Sequence, residues 1–387
     1  MPNLEHQAYD YILVGGGLQN GLVALAILHR QPWATVLLLE KAELIGGNHT
    51  WCFHLSDVPE SAHAWFKPLM AHEWAAYDVY YPDFHRCVEL PYGCTPSSHF
   101  RRVLTDRFSA SDRCHILYDS MATTIEANRV QLADGRSFKG HCVIDARGQI
   151  GARGDSEGYQ KFVGLEVELS RPHGLSAPIL MDGRVPQTDG LRFVYVLPFG
   201  PRHLLVEDTY FSDHAHLDRP NVADAVRAYI ESRNWTVAHE IRQESGILPL
   251  PWNQPPLHGA SGVLKGGYGA GYFHPVTGYS LPLAVKFADA VSYPEPEDAR
   301  HDRLNALNAL VIAQRRNLHR LNRVLFEYYA PEDRWHLMAR FYRRPEATIR
   351  RFYSMELTPW DIARIIVGPI PKKMRWTARR KDREDSQ

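Results

Sequence analysis

Apolar runs and periodic apolar faces alternate along the chain and predict its elements. Asp10-Tyr11-Ile12-Leu13-Val14 has the length and β-branched character of a buried strand. Leu22, Val23, Leu25, Ala26 and Leu28 then recur at helical spacing, and Thr35-Val36-Leu37-Leu38-Leu39 predicts a second buried strand ending on Glu40. A strand, a helix and a strand this close together read as a βαβ unit. Ser97 to Phe108 predicts a helix capped by Ser98. His115–Tyr118 and Arg129–Leu132 alternate like strands, and Ala133-Asp134-Gly135-Arg136 is a hairpin turn. His141 to Ile144 is a buried strand closing on Asp145 and Gly148. Phe162–Leu169, Leu191–Pro198 and His203–Phe211 alternate as strands of a further sheet, and Asn221–Ser232 predicts an amphipathic helix. Residues 59–95, rich in Trp, Tyr, Pro and His, show no clean period. From Asp302 onward Leu304, Leu307, Leu310, Val311, Leu318, Leu321 and Leu325 keep helical spacing.

The turn inside the βαβ unit is Gly15-Gly16-Gly17-Leu18-Gln19-Asn20-Gly21. Glycines let backbone approach a pyrophosphate, and the N–H groups at the helix start hold the anion. An acid about 20 residues beyond such a turn accepts hydrogen bonds from ribose hydroxyls; here that acid is Glu40, followed by Lys41. The third glycine of the G-x-G-x-x-G pattern is replaced by Asn20, with Gly21 beside it. The competing reading is an ordinary βαβ turn. A second glycine-rich loop runs from Gly262 to Gly271 and on through His274, Gly278, Tyr279 and Ser280 into the apolar helix Leu283–Val291. Its N–H groups can face pyrophosphate or ring oxygens, or the loop packs against the first one.

Composition narrows the class. The 387 residues are 44% hydrophobic and 23% charged, as in ordinary folded proteins. With 44 basic and 44 acidic residues there is no global field to recruit nucleic acid. The five cysteines form no C-x-x-C pair, which predicts reduced thiols in the cytoplasm. The N-terminus carries Glu5 without an apolar segment, so no signal peptide is expected, and no run of 18 apolar residues predicts a bilayer span. His49 and His54 lack matching cysteines or acids, so no metal is expected. Residues 334–387 hold 14 Lys and Arg against 6 Asp and Glu, a net of +8, interleaved with aromatic residues including Trp360 and Trp376. That stretch reads either as a solvated helical cap or as a docking face for anionic lipid headgroups.

The glycine pair Gly46-Gly47, just after the acid-tipped strand, resembles flavoproteins of the glutathione-reductase and p-hydroxybenzoate-hydroxylase type. This resemblance implies an α/β fold: a Rossmann-type FAD-binding domain, an inserted mixed β-sheet substrate domain and a helical C-terminal region. The discontinuous FAD domain is expected over 1–58, 97–155 and 258–300, the substrate domain over 59–96 and 156–257, and the basic helical region over 301–387. The FAD contacts implied are Gly15, Gly16, Gly17, Leu18, Gln19, Asn20, Glu40, Lys41, Gly47, Asn48, Asp145, Gly148, His274, Gly278, Tyr279, Ser280 and Leu281.

Four stretches, 14–21, 46–51, Val206-Glu207-Asp208-Thr209 and 273–282, together resemble bacterial lycopene β-cyclases over essentially the whole chain, Asn20 included. That family implies protonation of each ψ-end of lycopene at C2 and attack on the resulting cation by the C5=C6 double bond. Loss of a proton from C6 then leaves a β-ionone ring, giving β-carotene through γ-carotene without net redox change. It also implies reduced FAD with NADPH as reductant. The basic-aromatic tail, with the lipid solubility of such a substrate, predicts a cytoplasmic enzyme held peripherally on the inner face of the cell membrane. Protonating an alkene needs a neutral acid, which a buried carboxyl with a raised pKa supplies. Glu207 and Asp208, the catalytic candidates, are adjacent on a predicted strand, so one of them faces any given cavity; the resemblance favours Glu207. Trp51, Phe193, Tyr195 and Tyr279 offer cation–π stabilisation or are simply core. A redox flavoenzyme acting on an apolar substrate, such as a monooxygenase or dehydrogenase, fits the same fold, and a non-catalytic nucleotide-binding protein is a third reading.

Overall fold

The computed structural model describes residues 4–148, 157–251, 257, 262–294, 296–366 and 373. In chain order its opening part holds β1 (Ala8–Val14), α1 (Leu18–Arg30), β2 (Val36–Leu39), β3 (Thr50–His54), α2 (His63–Phe66), β4 (His72–Trp74), β5 (Tyr77–Tyr81), β6 (Phe84–Val88) and β7 (Tyr92–Pro96). Then come α3 (Ser97–Ser109), β8 (Cys114–Leu117), β9 (Ala122–Glu126), β10 (Arg129–Leu132) and β11 (Ser137–Asp145). The middle carries β12 (Glu157–Leu169), β13 (Ile179–Asp182), β14 (Leu191–Gly200), β15 (His203–Ser212), α4 (Arg219–Ser232) and β16 (Val237–Pro251). Last are β17 (Leu264–Lys265), α5 (Leu281–Val291), α6 (Glu297–Glu327), α7 (Trp335–Phe341), α8 (Glu346–Tyr353) and α9 (Pro359–Ile366).

Among the described residues the first sheet runs β8-β2-β1-β11-β10-β9, with β17 beside β11. Its central strands are parallel and fully apolar because α1 and its neighbours cover them: β2 and the Ile12–Val14 end of β1 are buried throughout. α1 packs on α5, so the helices following the two glycine-rich loops lie side by side. The second sheet runs β16-β12-β15-β14-β13-β5-β6. One face packs on α4 through Val194, Val206, Leu165 and Val226. The other face looks toward the small sheet β3-β7-β4 and the first sheet's glycine loops. Residues 59–95, aperiodic in sequence, resolve into the short helix α2 and strands of two different sheets, β4 and β7 in the small one and β5 and β6 in the second, which is why no single period runs through them. Arg334 is fully buried and fastens the start of α7 to β15 through the Phe211 carbonyl at 3.0 Å and Asp213 at 2.5 Å. The basic tail beyond Ile366, Trp376 included, lies outside the described residues apart from Lys373, as do 149–155 and 258–261 of the expected FAD domain and 156 and 252–256 of the expected substrate domain.

Candidate active site

β1 delivers the chain into Gly15, whose φ of +97° suits glycine, and a Cβ there would press on Ala146 O at 3.1 Å. At Gly17, the N-cap of α1, a Cβ would meet nothing within 4 Å. No side chain caps this helix and its first turn holds no acid, so its leading N–H groups open onto free space. Glu40, at the tip of β2, accepts from Gly16 N at 2.6 Å and from Ala42 N at 2.9 Å. An uncapped helix start, an open glycine face and an acid at the next strand tip are what a dinucleotide's phosphates and ribose require. The residues present therefore fit an adenine dinucleotide.

Asn20 explains the missing third glycine. It is fully buried, and its amide donates to Val14 O at 2.9 Å, Gly15 O at 3.0 Å and Ile144 O at 3.4 Å. A side chain here staples α1 to the ends of β1 and β11, where glycine would only permit close approach. The close approach moves to Gly21, where a Cβ would stand 2.1 Å from Phe100 Cζ. Gln19 joins the two glycine loops: its amide donates to Ala284 O at 3.1 Å and accepts from Gly267 N at 3.1 Å.

The remaining predicted contacts divide. Gly46 N donates to Gly16 O at 2.8 Å, which brings Gly47 and Asn48 to the rim of the cradle. Gly278, with φ of +66°, approaches Leu248 and Gln160 of the second sheet; Tyr279 donates to Asp57 at 2.7 Å, and Ser280 precedes buried Leu281 at the start of α5. Leu18 is buried at the start of α1, Lys41 is exposed, Asp145 is held by Arg147 at 2.9 Å, and Gly148 faces open space. His274 is either a flavin-side polar residue or a loop histidine satisfied within the protein, and its ring has the surroundings of the second. It is fully buried, its Nδ1 accepts from Val276 N at 3.2 Å, and its Nε2 donates to Phe352 O at 3.0 Å. Burial holds its pKa down at about 3. A neutral ring with both nitrogens engaged pins the loop to α8.

Glu207 and Asp208 take opposite faces of β15. Asp208 is fully buried on the α4 side, paired with Arg192 Nη2 at 2.8 Å and accepting from Tyr210 Oη at 2.9 Å. With its oxygens so engaged and the sheet between it and Glu207, it braces the fold and does not share Glu207's surroundings. Glu207 is half-buried on the other face, its Oε1 accepting from Thr209 Oγ1 at 2.7 Å. Burial, then the carboxyl of Glu244, pushes its pKa up to about 8, against the pull of Thr209. These surroundings favour the neutral form of Glu207.

Sequence reasoning missed Glu244 and its surroundings. Arg242 and Glu244 stand two apart on β16 and share a face. Arg242 donates to Glu244 and Glu166 at 2.5 Å each, to Thr50 at 2.7 Å and to Asn48 at 3.1 Å. This one guanidinium ties the second sheet to the Gly46–Asn48 rim and places the carboxyl face beside the cradle. Tyr195, opposite Glu207 on β14, meets Tyr92 hydroxyl to hydroxyl at 3.0 Å, and Trp51 packs on Phe100 with 5.0 Å between ring centroids. The available signal was Gly164, a glycine interrupting a strand, which marks a close approach.

A glycine cradle on the parallel strands of a mixed sheet, joined at its rim to a second, antiparallel-rich sheet, defines an α/β protein of the FAD-dependent flavoprotein fold class. Solved structures share that fold. A geranylgeranyl bacteriochlorophyll reductase-like protein from Thermoplasma acidophilum superposes with a TM-score of 0.61 at 13% identity, covering 93% of this chain and 96% of that one. PqsL of Pseudomonas aeruginosa, "a probable FAD-dependent monooxygenase", gives 0.59 at 15% identity, covering 85% and 98%. Residues 10–378 match the family described as lycopene cyclase protein. Lycopene beta-cyclase of Pantoea ananas is 40% identical over 379 residues (94% of this chain, 96% of that protein), and that of Paracoccus sp. strain N81106 is 39% identical over 372 (94% and 95%). The chain belongs to the lycopene cyclase family.

Proposed function

We propose that this chain is a lycopene β-cyclase, closing the ψ-ends of lycopene to β-ionone rings through monocyclic γ-carotene. The observation that carries the reading is the place of Glu207: a carboxyl whose surroundings favour its neutral form, beside Tyr195 and Tyr92 and on the face that Arg242 ties to the rim of a dinucleotide cradle. Glu207 protonates C2 of the end group, which leaves a tertiary cation at C1. The C5=C6 double bond attacks, forming the C1–C6 bond, and a proton leaves C6 to restore the double bond. Proton gain and loss cancel, so the reaction is an isomerisation. The ring of Tyr195 favours positive charge over its face, and exclusion of water keeps the cation from capture.

FAD is the dinucleotide this reading assigns to the cradle, held by the N–H groups at Gly17–Gln19, by Glu40 and by the Gly46–Asn48 rim; bound in reduced form it supplies negative charge to the site. NADPH is the proposed source of its electrons. We also assign the chain to the inner face of the cell membrane. Among the described residues no helix is long and apolar enough to cross a bilayer. However, α9 leaves Trp360 77% and Ile366 61% exposed, next to the basic tail. An aromatic-aliphatic face flanked by cations suits an anionic headgroup layer, where a carotene would be collected.

The test is anaerobic incubation of the purified chain with lycopene, FAD and NADPH. Bicyclic product from the wild type and none from a folded, flavin-loaded Glu207→Gln variant is the expected result. Oxygenated or desaturated product with stoichiometric NADPH consumption would instead select a redox flavoenzyme.

A further inference from the structure

Three neighbouring strands place Glu207, Gly164 and Glu244 in one row. Gly164 on β12 is in register with Glu207 on β15 and with Glu244 on β16, so all three positions share one face. The middle position has no side chain. A Cβ built on Gly164 would meet Glu244 Cγ at 3.2 Å, Leu205 Cδ1 at 3.3 Å and Glu207 Cβ at 3.4 Å, so the two glutamates and Leu205 close in over the bare position. Their other partners differ. Glu244 accepts from Arg242 at 2.5 Å and Thr50 at 3.1 Å, whereas Glu207 accepts from the neutral hydroxyl of Thr209.

We propose that Glu244 is the second carboxyl of this active site, acting through Glu207: its charge, set across Gly164 from Glu207, keeps the proton on Glu207. The inference rests on the cyclase reading and extends it. Two neighbouring carboxyls shielded from water do not both ionise readily, so the better-stabilised member takes the charge and the other the proton. Here the cation and the extra hydrogen bond lie at Glu244. Burial pushes both carboxyls up, but Arg242 and Thr50 oppose it at Glu244. The other charged or polar groups around Glu207 are Asp208 behind the sheet, Arg242 and Glu166 in the adjoining row, and Tyr195 beside it on β14. From the small sheet Thr50 reaches Glu244, and Tyr92 with Cys52 reaches Tyr195. When Glu207 gives its proton to C2, both carboxylates face the cation. The proton released from C6 then returns to Glu207, and turnover consumes none.

The test is the pH–rate profile of the full, flavin-loaded chain in wild type, Glu244→Gln and Glu244→Asp. The wild type loses activity as pH rises through about 8, where Glu207 ionises. Removing the Glu244 charge should move that limb down by one pH unit or more, leaving about tenfold less relative activity on the alkaline side. Asp at 244, which keeps the charge, should hold the limb near its original place. Infrared spectroscopy reads the same proton without turnover: the protonated-carboxyl band absent from Glu207→Gln should be present in wild type at neutral pH and weakened in Glu244→Gln. Thr50→Val, which takes one hydrogen bond from Glu244, should weaken it less. A Glu244→Gln profile and band matching wild type would overturn the pairing while leaving the cyclase reading intact. A wild type that forms no cyclic product yet shows the band and its loss in Glu244→Gln would overturn the cyclase reading alone.

Discussion

Glu207 and Asp208 are consecutive on β15 and belong to different structures: Glu207 to the row it shares with Glu244, Asp208 to a bidentate pair with Arg192 on the α4 side. The fold therefore separates two acids that the chain presents as a couple. Removing charge from Asp208 leaves the Arg192 guanidinium buried without its counter-ion, which costs about 3–5 kcal/mol. Asp208→Asn is expected to lower the urea unfolding midpoint sharply, while the fraction that stays folded keeps close to wild-type turnover. A variant as stable as wild type but unable to cyclise would put Asp208 in the chemistry and refute this division.

Glu207 should also make the protein less stable at alkaline pH. Its folded pKa of about 8 lies above the ordinary 4.5, so between those values the unfolded chain sheds a proton that the folded chain keeps. Stability falls as pH rises through that window and levels off above it. The full displacement sets an upper bound of about 5 kcal/mol. Glu207→Gln, which cannot ionise, is expected to be the more stable protein at pH 8 and to lose its advantage toward pH 4.5. Thermal melts across this range check it, and parallel curves for the two proteins would contradict the assignment of a buried neutral acid.

The opposite slope belongs to His274. Its folded pKa of about 3 lies below the ordinary 6.5, so the unfolded chain takes up a proton that the buried ring refuses. That contribution is complete above pH 6.5 and is lost as pH falls toward 3. His274→Gln should cost about 1–3 kcal/mol at neutral pH through the orphaned Val276 N–H and Phe352 carbonyl, and should flatten the acid side of the stability curve. Its flavin absorbance per folded molecule should match wild type, since both ring nitrogens are occupied within the protein. Loss of flavin from a stable variant would return His274 to the cofactor.

Much of this was legible in the chain, and the illegible part has a physical cause. The βαβ unit, the return strand at 141–145 and the strands at 162–169, 191–198 and 203–211 announce themselves because each buries one or both faces, leaving an apolar run or an alternation. β16 spans Val237–Pro251 and does neither: its site-facing positions include Arg242 and Glu244, so charges interrupt the alternation. Glu244 then reads like any solvated acid until register sets it across Gly164 from Glu207. His274 misled for the converse reason. A histidine in a glycine-rich loop suggests a ligand contact, and nothing local reveals that α8, 78 residues later, supplies the carbonyl that occupies it.

The Asn20–Gly21 pair makes the altered glycine motif testable. Asn20→Ala removes the donor to three strand-end carbonyls and is expected to cost about 1–3 kcal/mol. Gly21→Ala drives a methyl to within 2.1 Å of Phe100 Cζ and 2.6 Å of Leu104 Cδ1, an overpacking worth about 1–3 kcal/mol or more. Both changes shift the start of α1 against β1, so both should lower FAD content measured by absorbance after gel filtration. Gly17→Ala, at a position with open space, should leave the melting temperature close to wild type while crowding the anion. If Gly17→Ala kept full FAD affinity, the phosphates would not lie over that face.

The proposed membrane docking turns on α9. Asp361 is buried beneath it, accepting from Arg351 at 2.6 Å and Thr348 at 2.7 Å, so the helix is anchored from below while Trp360 and Ile366 point outward. The Asp361 carboxylate is held well below the ordinary range by Arg351 first of all, and this anchor stays ionised at any pH a membrane presents. Losing both outward side chains removes roughly 2–4 kcal/mol of apolar transfer without touching the core. Trp360→Ser combined with Ile366→Ser is therefore expected to cut flotation with anionic liposomes by tenfold or more, with melting temperature and soluble-substrate flavin spectra unchanged. Flotation should also fall with added salt, because cations of the adjoining tail contribute. Undiminished flotation of the double variant would move the docking face elsewhere on the molecule.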